Sequence, residues 1–403
     1  MHGLEDLSLK EREACIELKK RVSNDITNES LKNDVNLYLR FLRARDFNLD
    51  VAEAMLRNHI AWRVANQIDT IRTSYEPEEV VIKYLPLQRI GFDKEGSPVR
   101  YFDFGNTDIK GILKSCKTNA AVKSVVWMFE EDVAIMKKKS EELGKNIQQW
   151  IYILDFDNYS FAKATHKPTA EALIQLFMTY EANYPERLKT AYIINASVYF
   201  TLIFAIIKPL LSGNTIQKIV IYGKDGWKED LVKAIDVDVL PAFLGGTKTD
   251  PDGNPKCHNT IKHGVTVPKE YYMTKNTHRL KGLPGVKKLT VSRKSKMAIE
   301  LTVVEAGSVI EWEFETENKD IGFALFFKES ACNKTEGTEL IPKQRIDTNF
   351  QSETGMFLCE KPGVYILIFD NSYSWIYQKE IYVKVEVVRA KDRKGSKAQL
   401  KLV

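Results

Sequence analysis

The spacing of apolar positions changes along the chain, and each change marks a different kind of element. Up to about residue 75 the repeat is helical. Ser8-Leu9-Lys10-Glu11 fits a capping box that opens a first helix. Asp34 can cap a second helix and Asp50 a third, in which Ala52, Met55, Leu56 and Ile60 form a stripe. From 76 to 275 short apolar runs alternate with amphipathic stretches. Val99–Phe104, Ile151–Leu154, Ala191–Ile194 and Lys218–Tyr222 read as strands. Thr118–Leu143 reads as a long helix with Val122, Val125, Val126, Phe129, Val133 and Met136 inward, ending at Gly144. Ala170–Tyr180 reads as a helix burying Leu173, Leu176, Phe177 and Tyr180. This alternation predicts an α/β region with a largely parallel sheet. Residues 276–288 are polar and turn-rich, a linker. Beyond it the period becomes two. Ile310, Trp312 and Phe314 alternate with Glu311, Glu313 and Glu315, and Ile381, Val383, Val385 and Val387 with Tyr382, Lys384, Glu386 and Val388. That predicts an antiparallel β-sandwich over 289–389, followed by a basic tail from 390 to 403.

The stretch from Asn183 to Ala196, with the apolar segment after it, stands apart. It reads as turn, buried strand, turn and helix. The helix, from Val198 to Leu211, carries Val198, Leu202, Ile203, Ile206 and Leu210 on one face and Phe200, Phe204 and Ile207 on the other. A helix apolar all round is deeply buried or faces lipid. No charge occurs from Ala191 to Ile207, nearly the length a bilayer needs. Asn195 and Ser197 interrupt that run and Pro209 closes it. A membrane span, a static core helix and a mobile wall over a greasy pocket all fit this pattern.

Composition narrows the class. The 403 residues are 44% apolar and 28% charged, long enough for two or three globular domains. A net charge of +5 is too small by itself to argue for nucleic acid. Five cysteines at scattered spacings, with no Cys-x-x-Cys, favour a reducing compartment. The amino terminus lacks a basic start followed by an apolar core, so a cytosolic protein is expected. No Gly-x-Ser-x-Gly, P-loop or His-Glu-x-x-His occurs. Cys257, His258 and His263 lack a fourth ligand for zinc. The run from Asp250 to Asn254 fails as a calcium loop because Ile261 stands where the bidentate Glu is required. Asp155 and Asp157 at a strand end read more readily as a cap than as a catalytic pair. The basic residues of Arg40–Phe47 read as a solvated helix face or as an anion contact.

Phe41-Leu42-Arg43-Ala44-Arg45, Asn183-Tyr184-Pro185-Glu186-Arg187, Ile193-Ile194-Asn195-Ala196, Lys208-Pro209-Leu210-Leu211 and Leu240-Pro241-Ala242-Phe243-Leu244-Gly245-Gly246 resemble the CRAL-TRIO lipid-binding proteins. Pro362 to Ser374 resembles the last strands of a GOLD domain. Asp250 to Cys257 is similar to the subgroup joining both domains, which includes supernatant protein factor, tocopherol-associated proteins and invertebrate retinal-binding proteins.

The resemblance implies a helical N-terminal region over 1–75, a lipid-binding domain with a mixed, largely parallel sheet over 76–275, and a GOLD sandwich. It implies that Val198–Leu211 is a gate that closes over lipid and opens at a membrane. Pocket walls would come from Trp150, Tyr152, Leu154, Tyr192 and Ile194, with Val198, Leu202, Phe204 and Ile206 on the gate. In phosphoinositide-transfer members the headgroup is met by residues matching Arg45, Glu186, Thr215 and Lys218, although Asp46 adds a negative charge beside the first of these. Trp150 and Tyr152 replace the small hydroxyl residues of the family's choline site, which favours a slim apolar ligand such as a tocopherol, squalene or retinoid. The implied protein is a cytosolic carrier that associates transiently with membranes. It is not an enzyme, uses no cofactor or metal, binds no nucleic acid and can meet a protein partner through the GOLD domain. The alternative is a phosphatidylinositol-binding regulator that presents the GOLD domain to a partner.

Overall fold

The capping box forms as its residues dictate. Ser8 Oγ accepts from the Glu11 N–H at 3.3 Å, and the Glu11 carboxylate accepts from the Ser8 N–H at 3.2 Å, starting the helix Leu9–Val22. Asp34 caps Val35–Arg43 by accepting from Asn36 N–H at 3.0 Å. The third helix, Leu49–Ala65, is capped by Asn48 and not by Asp50, which lies in the first turn. There its charge still favours the helix N-terminus. The three helices close on one cluster that includes Leu18, Val22, Leu37, Phe41, Leu42 and Leu56.

The computed structural model describes residues 7–164, 166–273, 280–317, 320–329, 337–348 and 352–389. The basic tail from 390 and residues 276–279 of the expected linker lie outside them. Two compact units divide between Tyr272 and Met273. Residues 280–288 fall in the second: Leu280 is buried and its N–H donates to Glu315 at 3.0 Å.

The first unit contains a five-stranded sheet in the order β1 (Leu87–Phe92), β2 (Pro98–Asp103), β3 (Trp150–Asp155), β4 (Leu188–Ile194) and β5 (Ile219–Ile221). β2 to β5 run parallel and β1 is an antiparallel edge. β1 escapes the period-two reading because Gly91 and a register shift between Arg89 and Gly91 break its alternation. One face of the sheet packs in a core with the helices Thr118–Leu143, Lys167–Asn183 and Val198–Ile207. The other packs with the helix Trp227–Ala234 and with Leu240, Leu244, Cys257 and Ile261.

The charge-free run is divided between β4 and the ten-residue helix Val198–Ile207. At 1.5 Å per residue that helix reaches only about half the hydrocarbon core. Among the described residues no helix is long and apolar enough to cross a membrane.

The second unit is antiparallel throughout. One sheet orders β10 (Thr338–Asp347), β9 (Asp320–Lys328), β12 (Gly363–Asp370) and β7 (Lys296–Val303). The other orders β11 (Glu353–Cys359), β8 (Ser308–Thr316), β13 (Lys379–Val388) and β6 (Lys287–Val291). The residues expected to face inward on β8, Ile310, Trp312 and Phe314, are buried against Phe323 and Phe369.

Candidate functional site

Tertiary packing leaves an apolar cavity of about 170 Å³ between the sheet and its covering helices. Tyr152 and Leu154 line it from β3, Ala191 and Ile193 from β4, and Leu173, Phe177 and Tyr180 from Lys167–Asn183. The helix Val198–Ile207 contributes Phe200, Ile203, Phe204 and Ile207, and Leu211 and Thr215 complete that side. The first turn of this helix is fixed by Ser197, whose Oγ accepts from Tyr199 N–H at 3.3 Å. Its end is set at Pro209, which has no N–H to continue the ladder.

Strand register decides which of the expected wall residues reach the cavity. On β3, Trp150, Tyr152 and Leu154 share the cavity side while Ile151 and Ile153 join the opposite core. On β4 the assignment is off by one residue. Tyr192 and Ile194 lie in the opposite core with Trp227 and Leu231, and Ala191 and Ile193 take the cavity side. A one-residue slip exchanges the faces of a strand, and here the ladder shifts register between Trp150 and Ile151 where β4 begins.

Trp150 is on the expected face but does not line the cavity. It is fully buried, with Phe129 stacked at 5.7 Å, Tyr184 at 6.2 Å and Tyr152 edge-on at 6.3 Å, and so backs the wall. Tyr152 presents its ring to the cavity. Among the described residues its buried hydroxyl has no hydrogen-bond partner, and burial drives its pKa well up.

The helix Val198–Ile207 corrects the expectation most. Val198 is 70% exposed, and Leu202 and Ile206 are each 41% exposed, so these three face outward. Phe204 alone of the four expected gate residues lines the cavity. The side chains not anticipated as wall, Phe200, Ile203 and Ile207, are buried on the inner face. Thr201 held the missing signal: it is exposed, and the outward residues Val198, Leu202 and Ala205 flank it at helical spacing.

Three of the four expected headgroup residues, Glu186, Thr215 and Lys218, come close together, and of these only Thr215 lines the cavity. Lys218 Nζ pairs with Glu186 Oε2 at 2.9 Å, and Asn214 Nδ2 donates to Glu186 Oε1 at 3.2 Å. Thr215 lines the cavity, with its hydroxyl 3.0 Å from that of Ser212. Arg45 is not joined to them: its guanidinium donates to the Ala44 carbonyl at 2.7 Å. Glu186 sits at φ +60°, a left-handed conformation uncommon for a side-chain-bearing residue. The turn around it is held by Arg40, which donates to the Pro185 carbonyl at 3.3 Å, and by Asn183, whose Oδ1 is 3.0 Å from His59 Nδ1. Arg40 is therefore buried and not part of a solvated face. Arg187 donates to the Gln148 carbonyl at 3.0 Å and to its side-chain Oε1 at 2.7 Å.

The remaining candidates are occupied by structural hydrogen bonds. Asp155 accepts from Asn195 Nδ2 at 2.8 Å, Asp157 N–H at 3.0 Å and Tyr101 Oη at 3.2 Å, and burial raises its pKa. Asp250 accepts from Thr260 Oγ1 at 2.7 Å and Asn259 N–H at 2.8 Å. A second hollow, of about 560 Å³, opens between the N-terminal helices and the start of β3. Its charged lining, with Arg43 on Glu11 at 2.9 Å and Lys189 on Asp93 at 2.6 Å, does not suit an apolar ligand.

Residues 83–246 match the model of the CRAL/TRIO domain, and residues 4–58 match the CRAL/TRIO N-terminal domain. The chain belongs to the CRAL/TRIO family. Protein real-time of Aedes aegypti is 30% identical over 334 residues, 80% of this chain and 50% of the relative. Protein ctg-1 of Caenorhabditis elegans is 28% identical over 351 residues, 87% of this chain and 90% of the relative. Protein real-time of Anopheles gambiae is 33% identical over 235 residues, 58% of this chain and 34% of the relative. The chain thus spans half or less of the real-time proteins and most of ctg-1. The crystal structure of Sfh5 shares the fold, with a TM-score of 0.50 at 16% identity over 66% of this chain and 94% of that one. CRAL/TRIO proteins are in general lipid-binding and transfer proteins and not typically enzymes.

Proposed function

We propose that this CRAL/TRIO protein is a cytoplasmic carrier. It takes a slim hydrophobic lipid (a retinoid, a tocopherol, squalene or similar) from one membrane, shields it in the cavity and releases it at another. The observation that carries this reading is the two-sided helix Val198–Ile207, which walls an apolar cavity with one face while the other leaves Val198, Leu202 and Ile206 exposed. A volume of about 170 Å³ is below the roughly 300 Å³ at which ligand sites begin, so loading requires the wall to move outward. Val198–Ile207 is the wall with least to lose. Its N-terminus is set by one serine cap, and its outer face is uncovered. An apolar wall gains on the order of 25 cal/mol per Å² of ligand surface buried, before ordering costs. Tyr152 in front and Trp150 behind it leave no room on β3 for a choline headgroup.

A second reading rests on the Glu186–Lys218 pair near Thr215. There an inositol phosphate would compete for Lys218 while its hydroxyls met Glu186. On that reading the protein is a phosphatidylinositol-binding regulator whose sandwich, read as a GOLD domain, meets a protein partner. One experiment separates the two. Delipidated protein is incubated with retinal, α-tocopherol, phosphatidylinositol or phosphatidylcholine, and the lipid retained through gel filtration is weighed by mass spectrometry. The carrier reading expects retention of retinal or tocopherol, no phosphatidylcholine, and no effect of Lys218→Ala on the neutral ligand. Retention of phosphatidylinositol alone, lost in Lys218→Ala, overturns it in favour of the second.

A further inference from the structure

The connection from β12 to β13 carries a feature that lipid transport by the first unit does not use. Trp375, Ile376 and Tyr377 are consecutive and are 72%, 71% and 56% exposed. Single exposed apolar residues are ordinary, whereas a contiguous bulky group marks a contact surface. The tip is held in place by a built framework. Asn371, fully buried, donates through Nδ2 to the carbonyls of Tyr377 at 2.9 Å and of Val291 and Ser292 at 3.2 Å each. Ser374 Oγ also donates to the Tyr377 carbonyl, at 2.9 Å. The neighbouring β6–β7 turn is tied on by Lys294 N–H to the Ser374 carbonyl at 3.1 Å and Asn371 N–H to the Ser295 carbonyl at 2.9 Å.

That turn supplies positive charge. Lys294 Nζ lies 3.6 Å from the centroid of the Trp375 ring, and Arg293 beside it is exposed. Among the described residues neither forms an ion pair with a carboxylate, whereas Lys296, two positions on, is engaged by Asp370 at 3.4 Å. Trp and Tyr rings with an apolar body and a polar edge suit the interfacial zone of a bilayer. Lysine and arginine at the same height suit anionic headgroups. A protruding loop end fits a deformable surface and needs no complementary groove.

We propose that the tip Trp375-Ile376-Tyr377, with Arg293 and Lys294, is a second membrane contact of this protein, selective for bilayers that carry anionic phospholipid. It lies in the sandwich unit and does not depend on the carrier reading, so failure of the ligand assay above leaves its test intact.

The test is flotation of the 403-residue chain with phosphatidylcholine vesicles with and without phosphatidylserine, at low and raised salt. Wild-type protein should float better with phosphatidylserine. The triple variant Trp375→Ser/Ile376→Ser/Tyr377→Ser should lose about tenfold or more of this partition. Arg293→Glu/Lys294→Glu should lose at least about fivefold per position, with the difference shrinking as salt screens it. An unchanged melting temperature shows that each variant is folded. Because Val198–Ile207 can also bind vesicles, quenching by brominated lipid supplies a local readout. Wild-type fluorescence should contain a quenched component that disappears in Trp375→Phe. Quenching that is undiminished in Trp375→Phe overturns the proposal, as does a triple variant that floats like wild type. Wild-type protein that floats with neither vesicle overturns it as well.

Discussion

The two faces of Val198–Ile207 can be tested against each other. Leu202 and Ile206 point outward and are each 41% exposed. Full burial of such a side chain is worth about 1.5–3 kcal/mol, so the exposed parts hold roughly 1 kcal/mol each for a membrane to recover. Leu202→Gln/Ile206→Gln removes that attraction while keeping good helix formers in place. The expected loss is about 2 kcal/mol, roughly thirtyfold in membrane partition, with a stability cost of about 1 kcal/mol or less at each position. Ile203, one residue along, is 4% exposed and faces the sheet. Ile203→Ala should therefore cost about 2–5 kcal/mol of stability. The assay is vesicle-to-vesicle transfer of a fluorescent retinoid, read alongside urea unfolding of both variants. The outer variant should transfer slowly and unfold nearly as wild type does; the inner one should unfold early. Transfer at the wild-type rate by Leu202→Gln/Ile206→Gln would refute the reasoning, because the exposed face would then have no part in the exchange.

Two further outcomes follow from buried polar groups. Tyr152→Phe removes a hydroxyl that is buried without a partner among the described residues, and leaving such a group unmade costs about 1–3 kcal/mol. The variant should melt a few degrees higher with ligand retention unchanged; a lower melting temperature would show that the hydroxyl is bonded. His59 is 3% exposed, and burial, with Arg63 nearby, holds its imidazole down at about 3. In the unfolded chain it protonates near pH 6.5. Between these values the unfolded state binds more protons, so its contribution is present above about pH 6.5 and is lost as the pH falls through the window, by about 2 kcal/mol at pH 5. Urea midpoints against pH should show this slope flattened in His59→Gln, and an acid slope identical to wild type would contradict the assignment.

Local chemistry made much of this protein legible in its sequence. Capping side chains act over three residues, so the Ser8–Glu11 box and the Asp34 cap follow from neighbours alone. Period two marked the sandwich because each of its sheets buries one face, as Ile310, Trp312 and Phe314 show. The central sheet hid its register for the opposite reason. β4 is covered on both sides, so Ala191, Tyr192, Ile193 and Ile194 are all buried and their pattern does not say which two meet the cavity. The same ambiguity applies to Val198–Ile207, where only Thr201 marks the outside. The cavity and the Glu186–Lys218 pair exist only once helices and strands far apart in sequence are packed together. Their residues were visible beforehand, but the direction of each side chain is set by the ladder and by the neighbouring helix, which no local pattern encodes.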